Sequence, residues 1–269
     1  MITYRRKLKN GDVVTTKNIK DVFNPQKENE KECWLFVSPH DDDLVLGAGN
    51  TILAALNNNI EVHCAITSDG SMGYCTPEHK NKIADIRKIE TEEAYKILGV
   101  KNVHFLNFPD CSLTAHGGRT FNVSGKAWEV ANATGLQNSF VELIRKVNPN
   151  RVFIPTQTDL HPDHKIVNSE MLISVFHAEG GIWPELGERI PAIPTIYEYA
   201  VYTDFIAPPQ ICVEISSELI KQKQDSMRAY ASQTQIEDII KSLSGAYEFI
   251  HEIEFNFYKP DKYLNEFIK

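Results

Sequence analysis

Short apolar runs alternate with helical stretches along most of this chain, and this alternation constrains its fold more than any other feature. The apolar runs lie at residues 33–38, 61–68, 102–108 and 151–156. The spacing of apolar residues predicts helices at 44–57, 78–98, 137–147, 166–176 and 217–231. Strand followed by helix, repeated in this way, favours parallel strands joined by right-handed crossovers. The sequence therefore predicts an α/β fold, a Rossmann-like, doubly wound and mainly parallel sheet flanked by helices.

Several segments lie outside this alternation. Residues 1–31 are polar and weakly patterned, so we predict a surface extension with at most one short strand, followed by a single domain of residues 32–269. The stretches 109–135 and 178–194 predict long loop insertions, which are either rims over a site or ordinary surface excursions. Later runs predict a hairpin or mixed-sheet addition at 195–202 and 211–215, and a further strand at 251–258.

Charge and cysteine content exclude several classes of protein. The 28 lysines and arginines stand against 36 aspartates and glutamates, and the net charge of −8 opposes binding to nucleic acid or to an anionic membrane. The five cysteines form no C-x-x-C pair, which argues against a disulfide framework and favours a reducing, cytoplasmic location. No apolar run reaches 18 residues, so we expect neither secretion nor membrane insertion.

A histidine and three aspartates follow the first predicted strand, at His40, Asp41, Asp42 and Asp43. Ligands of α/β folds bind beyond the carboxyl ends of the strands, where this cluster lies. Aspartates also cap helices, so capping alone is one interpretation. Three adjacent carboxylates exceed what capping requires, and like charges side by side are costly without a cation.

A second cluster, with the sequence DLHPDH at residues 159–164, follows the strand that ends near Thr156. It again places histidines and aspartates at the carboxyl end of a strand. The two clusters together supply two histidines and a carboxylate for a metal ion. Catalytic zinc sites use three such ligands and leave one coordination position for water.

The segment SPHDDDLVLGAG at residues 38–49 resembles the metal-binding signature of the LmbE-like, or PIG-L, zinc-dependent N-acetylglucosaminyl deacetylases. DLHPDHK at 159–165 is similar to the second signature of that family. Weaker similarities, among them TSDG at 67–70 and the pair Ser232 and Gln233, extend the resemblance over about residues 33–233. Two positions depart from the commonest signature, because Asp41 stands where proline is frequent and Leu44 where glutamate is frequent.

The resemblance implies a metal site, with Zn²⁺ preferred and Fe²⁺ as an alternative. Its ligands would be His40, Asp43 and His164. Asp42 would be the general base and His161 the general acid or oxyanion stabiliser, and Asp163 would hydrogen-bond and orient His161.

Arg87 and Asp110 resemble positions that contact substrate in relatives. From the residues alone, Arg87 fits a solvated ion pair on its helix, with Glu90 or Asp85, nearly as well as a substrate contact. Asp110 follows a strand end, where substrate contacts are common.

The resemblance implies a hydrolase that removes the N-acetyl group from an N-acetylglucosamine-type sugar or conjugate. Zinc lowers the pKa of its bound water to about 7, which suits attack on an amide. One alternative is a zinc hydrolase acting on another acylated amine, and a second is a non-catalytic sugar-binding protein that retains the fold. The expected partner is a small N-acetylated sugar, and the resemblance adds a homo-oligomer, either trimer or hexamer.

Overall fold

The computed structural model describes residues 1–23, 31–121 and 129–268. The strands are β1 (Thr3–Lys7), β2 (Val13–Thr16), β3 (Cys33–Ser38), β4 (Glu61–Ser68), β5 (Asn102–Phe108), β6 (Thr120–Phe121), β7 (Ala133–Thr134), β8 (Arg151–Pro155), β9 (Thr195–Tyr199), β10 (Ile211–Glu214) and β11 (Tyr247–Ile253). The helices are α1 (Asp43–Gly47), α2 (Gly49–Asn57), α3 (Ile83–Leu98), α4 (Leu136–Val147), α5 (Pro162–Glu179), α6 (Ser217–Arg228), α7 (Ile236–Leu243) and α8 (Asp261–Phe267). Among these helices none is long and apolar enough to cross a lipid bilayer.

Nine strands form one mixed sheet in the order β2-β1-β10-β11-β9-β8-β3-β4-β5. The five strands from β9 to β5 are parallel, and the other four are antiparallel. Strand order runs outward from β3 through β4 to β5 and, in the other direction, from β8 to β9, so the parallel part is doubly wound. The predicted α/β fold with late mixed-sheet additions is confirmed.

The core lies on both faces of this sheet, because alternate residues of β3 point to opposite sides. Trp34 and Phe36 belong to the apolar cluster that includes residues of α2, α3 and α6. Leu35 and Val37 belong to the cluster beneath α4 and α5. A central strand buried on both faces explains why the run is apolar throughout.

The helix predicted at 44–57 is divided into α1 and α2 at Ala48. Close packing explains the glycines on either side of the break. A Cβ atom on Gly47 would lie 2.6 Å from the carbonyl oxygen of Ala200, and one on Gly49 would lie 2.9 Å from Cε of Lys223. The strand predicted at 251–258 begins earlier, at Tyr247, and inserts between β9 and β10, so these two strands form no hairpin with each other.

The prediction of a surface extension at the N-terminus is wrong over residues 3–23. Strand β1 pairs with β10 and with β2, so two strands rather than one join the main sheet. Tyr4, Val22 and Phe23 are buried, and the ring of Phe23 lies 4.9 Å from that of Trp34. Strand β1 lies near the sheet edge with only Tyr4 buried, so its sequence lacks a clear apolar pattern. Residues 24–30 lie outside the described part of the chain.

The two predicted insertions contact each other through Arg119, whose guanidinium carbon lies 4.8 Å from the centre of the Trp183 ring. Arg145 of α4 donates to backbone carbonyls of the second insertion, including those of Trp183 (2.6 Å) and Ile182 (2.7 Å). The first insertion is anchored on α5, because Glu170 accepts a hydrogen bond from the amide of Gly118 (2.7 Å). Residues 122–128 of this insertion lie outside the described ranges.

Candidate active site

The two histidine and aspartate clusters meet where the strand order reverses. His40 to Asp42 form the turn between β3 and α1, and His161 is the N-cap residue of α5, just beyond β8. Because β3 and β8 are parallel neighbours, their carboxyl ends open into the same crevice. Ligand atoms of His40, His161 and His164 accordingly lie within 4.8 Å of one another.

Asp43 lies between two histidines at the centre of this cluster. Its Oδ2 atom is 3.2 Å from Nδ1 of His40 and 3.3 Å from Nε2 of His164, and the Asp43 side chain is fully buried. Tetrahedral zinc, with bonds of 2.0–2.1 Å, places its ligand atoms about 3.3 Å apart. Nε2 of His164 and Oδ1 of Asp43 are buried without a hydrogen-bond partner among the described residues. The donor types and these two distances therefore fit a divalent metal ion, and the groups within common reach of one ion are His40 with His161 and His164, and His40 with Asp110 and Asp163.

Each of these histidines has carboxylates on its far side. Nδ1 of His164 lies 3.3 Å from Oδ2 of Asp159, while Nε2 of His40 lies 3.2 Å from Oδ1 of Asp110 and 3.6 Å from Oδ2 of Asp163. Carboxylates in this position fix the tautomer and ring orientation of metal-ligating histidines. Asp159 was not among the predicted site residues, although it stands in the second motif five residues before His164.

These carboxylates strongly favour protonated imidazoles when no cation is bound. Burial by itself lowers the pKa of His164, but Asp43 and Asp159 outweigh it and raise that pKa to about 9. Burial likewise opposes protonation of His40, yet Asp110, Asp163 and Asp43 hold its pKa well above the ordinary value. A metal ion entering the site would displace these protons.

The family resemblance implies that Asp163 hydrogen-bonds His161 and orients it, but the Asp163 carboxylate does not play this part. Its backbone amide donates to Nδ1 of His161 (3.2 Å), because the first amides of α5 need an acceptor and His161 is the N-cap. The carboxylate of Asp163 instead accepts from the amide of Leu113 (3.2 Å) and faces His40. Burial and the nearby His40 lower the pKa of His161. Because Nδ1 accepts the amide of Asp163, a neutral His161 ring has its donor on Nε2.

Arg87 is buried, with 5% of its surface exposed, so the interpretation as a solvated ion pair on its helix is wrong. Its guanidinium contacts Asp41 and Asp42, and Glu90 instead accepts hydrogen bonds from Ser232. Asp110 contacts His40 and accepts from the amide of Met72 (3.0 Å). Both predicted substrate-binding residues line the cleft, but their charged groups already have protein partners. Substrate contact by either remains a prediction.

The cluster opens into a cleft of about 490 Å³, a size typical of small-ligand sites. Besides the motif residues, its walls include Tyr202, Gln233 and residues of α7. The Tyr202 ring lies 5.3 Å from the His164 ring. Tyr197 and Tyr199 are buried in the core, as strand packing predicts, whereas Tyr202 follows the strand and is exposed in the cleft.

A larger cavity of about 810 Å³ lies elsewhere, beside β11 and α5. Two of its basic residues, Arg6 and Lys9, pair with Glu252 and Glu254, at 2.8 and 2.7 Å. The histidine and aspartate cluster lines the smaller cleft, which is therefore the better candidate for an active site.

The profile of the PIG-L family, described as GlcNAc-PI de-N-acetylase, matches residues 35–174, which is more than half of the chain. The chain belongs to the PIG-L family. This confirms the resemblance seen in the two sequence signatures. The matched region contains both clusters, strand β8 and most of strand β3.

Two curated relatives of this PIG-L protein are named as deacetylases. Diacetylchitobiose deacetylase of Thermococcus kodakarensis is 30% identical over 141 residues, which cover 51% of this chain and 46% of that protein, a little less than half its length. The probable N-acetyl-alpha-D-glucosaminyl L-malate deacetylase 2 of Bacillus cereus is 26% identical over 212 residues, which cover 75% of this chain and 83% of that protein.

A solved structure shares the fold. N,N'-diacetylchitobiose deacetylase from Pyrococcus horikoshii matches with a TM-score of 0.65 at 23% identity, covering 82% of this chain and 84% of that one. At this identity the likeness supports the architecture rather than a common substrate.

Proposed function

We propose that this PIG-L protein is a metal-dependent N-deacetylase of N-acetylglucosamine-type sugars or their conjugates. The observation that carries the proposal is the single Asp43 oxygen lying 3.2 and 3.3 Å from nitrogens of His40 and His164, where the buried His164 nitrogen makes no hydrogen bond to a described residue. The names of the two curated relatives, one for diacetylchitobiose and one for a GlcNAc-malate conjugate, support the same substrate class.

In this proposal His40, Asp43 and His164 hold a zinc ion, with Fe²⁺ as the alternative metal. When bound, the ion supplies a Lewis acid and lowers the pKa of a water molecule to about 7. Asp159 holds the His164 ring in place, and Asp110 with Asp163 holds the His40 ring. The three ligands therefore need little rearrangement before chemistry.

Asp42 is the proposed general base, since its side chain is 14% exposed and lines the cleft beside the ligands. It takes a proton from the attacking water as the new C–O bond forms at the acetyl carbon. The Nε2–H group of His161 donates a hydrogen bond to the acetyl oxygen as negative charge develops there. The C–N bond then breaks, Asp42 returns its proton to the leaving nitrogen, and acetate and an amine leave.

The charges of the cleft favour an uncharged sugar conjugate over an anionic one. Asp41, Asp42 and Asp110 line it, and Arg87 is the one lysine or arginine among the described lining residues. Its guanidinium lies 2.6 Å from Asp41 and 2.9 Å from Asp42. A carboxylate or phosphate on the substrate would meet no unpaired cation in the described part of the cleft.

Acetate release from a matched set of substrates tests the proposal. N,N'-diacetylchitobiose, N-acetylglucosamine and N-acetylglucosaminyl malate share the scissile group and differ in charge and size. We expect turnover of at least one of them, with the neutral sugars preferred, and none after Asp42→Asn. Stoichiometric metal binding without acetate release from any of them would favour a different acylated amine or a non-catalytic sugar-binding protein.

We also propose a cytoplasmic location and retain the prediction of a homo-oligomer. The five cysteines are free thiols, and three of them are at least partly buried, which suits a reducing compartment. Light scattering coupled to size exclusion would distinguish a monomer from a trimer or hexamer.

A further inference from the structure

Asp41, which occupies the position where the family signature frequently has proline, is buried against α3. The Nε edge of the Arg87 guanidinium faces the Asp41 carboxylate: Nε donates to Oδ2 (2.7 Å), and Nη2 lies 2.6 Å from Oδ1. Thr91 donates to the same Oδ2 atom (3.1 Å), and the backbone oxygen of Asp41 accepts from the hydroxyl of Tyr230 (2.6 Å). The hydrogen bond from Nε and the close ion pair at Nη2 together restrain the guanidinium of Arg87.

The fixed guanidinium of Arg87 reaches the proposed general base. Nη2 lies 2.9 Å from Oδ2 of Asp42, and within the described ranges no other ion-pair partner contacts the Asp42 carboxylate. Asp42 is the N-cap residue of α1, yet its side chain makes no capping hydrogen bond. The position of the Asp42 carboxylate therefore depends on Arg87, whose own position depends on Asp41.

The turn above Arg87 encloses the guanidinium on its remaining side. A Cβ atom on Gly73 would lie 2.8 Å from Nη1 of Arg87, and one on Gly70 would lie 3.5 Å from both Cδ of Arg87 and Oδ1 of Asp41. Glycine at these positions lets the turn close over the ion pair. Arg87 is thereby held against the two aspartates.

We propose that Asp41 and Arg87 are positioning residues that hold the Asp42 carboxylate in place for catalysis, rather than residues that bind substrate. The inference rests on the proposed function, in which Asp42 takes the proton from water. A displacement of about 1 Å at a reacting group lowers the rate about 10²-fold. The pair acts as a unit, so removing either member releases Asp42.

The double variant Asp41→Leu/Arg87→Met tests this, because apolar replacement of both members of a buried ion pair is often neutral for stability. We expect kcat to fall about 10²-fold with KM changed less than about threefold. Zinc stoichiometry and the unfolding temperature should stay close to those of the wild type. The matched control, Arg5→Met/Glu214→Leu, removes a remote pair at 2.7 Å and should retain wild-type kcat.

A double variant with wild-type kcat overturns the proposal, and so does a raised KM with kcat unchanged, which would make Arg87 a substrate contact. If the double variant fails to fold, Asp41→Asn and Arg87→Lys replace it, and each should lower kcat without raising KM, because a lysine cannot pair side on.

A crystal structure of the double variant gives a readout that needs no turnover. We expect the Asp42 carboxylate to move by about 1 Å or more, and an unmoved carboxylate refutes the inference. Absence of acetate release from the wild type would instead refute the proposed function, so the two failures are distinguishable.

Discussion

Replacing Asp159 by asparagine tests whether the carboxylate behind His164 sets the metal affinity. Asp159 is fully buried, its Oδ2 lies 3.3 Å from Nδ1 of His164, and its Oδ1 accepts from the amide of His161 (3.1 Å). An asparagine has one oxygen where the aspartate has two, so either orientation of the amide loses one of these contacts. Loss of such a carboxylate weakens metal binding about 10- to 100-fold, or about 1.4–2.8 kcal/mol.

A competition titration of the metal-stripped protein against a chromophoric zinc chelator measures this difference at fixed pH. Asp204→Asn is the control, because Asp204 is exposed on the segment that follows β9. We expect Asp159→Asn to bind zinc about 10-fold or more weakly and the control to match the wild type. Equal affinities for all three proteins would refute the reasoning that Asp159 holds the His164 ring for the metal.

Three further changes have defined outcomes. Asp42→Asn should abolish acetate release while zinc remains bound at one equivalent, as measured by elemental analysis. Glu248→Ala should lower the free energy of unfolding in urea by about 3–5 kcal/mol, because it leaves the buried Lys223 ammonium, 3.3 Å away, unpaired. Burial and the charge of His63 lower the pKa of His104 to about 4. As the pH falls, the unfolded chain therefore binds a proton at His104 before the folded protein does, and the free energy of unfolding decreases from pH 6.5 to pH 4. His104→Gln should reduce that fall, and urea unfolding at pH 7 and pH 5 measures it.

The central strands β3 and β8 could be predicted from the sequence because every residue in them is buried, and strands of this kind form continuous apolar runs. Strands β3, β4 and β5 begin and end where the apolar runs do. Strand β1, the second strand from the sheet edge, could not be recognised, because only Tyr4 of its residues is buried. The late strand β11 lies between two earlier elements of the sheet, and this order depends on tertiary packing rather than on local pattern.

The proximity of the two histidine and aspartate clusters could be predicted because each follows a neighbouring parallel strand, β3 or β8, in the chain. Most of their outer contacts could not, because these contacts join distant segments; Asp159, five residues before His164, is the exception. Arg87 and Asp41, which form an ion pair, are 46 positions apart in the sequence. The Asp163 carboxylate contacts the Leu113 amide and the His40 ring, while the Asp163 amide donates to the N-cap residue of α5. Leu44, at the position where glutamate is frequent, is buried in the apolar core and contributes no charge to the site.

In the proposed function, this protein would hydrolyse an N-acetyl group only with a metal ion held by His40, Asp43 and His164. The most direct measurement is acetate release from N,N'-diacetylchitobiose by metal-stripped protein as zinc is added in steps to one equivalent. We expect no acetate release without metal and a rate of release that rises until one equivalent of zinc is bound. The Asp43→Asn variant should show no such rise. Release by the stripped protein, or undiminished release by Asp43→Asn, would contradict the proposed function.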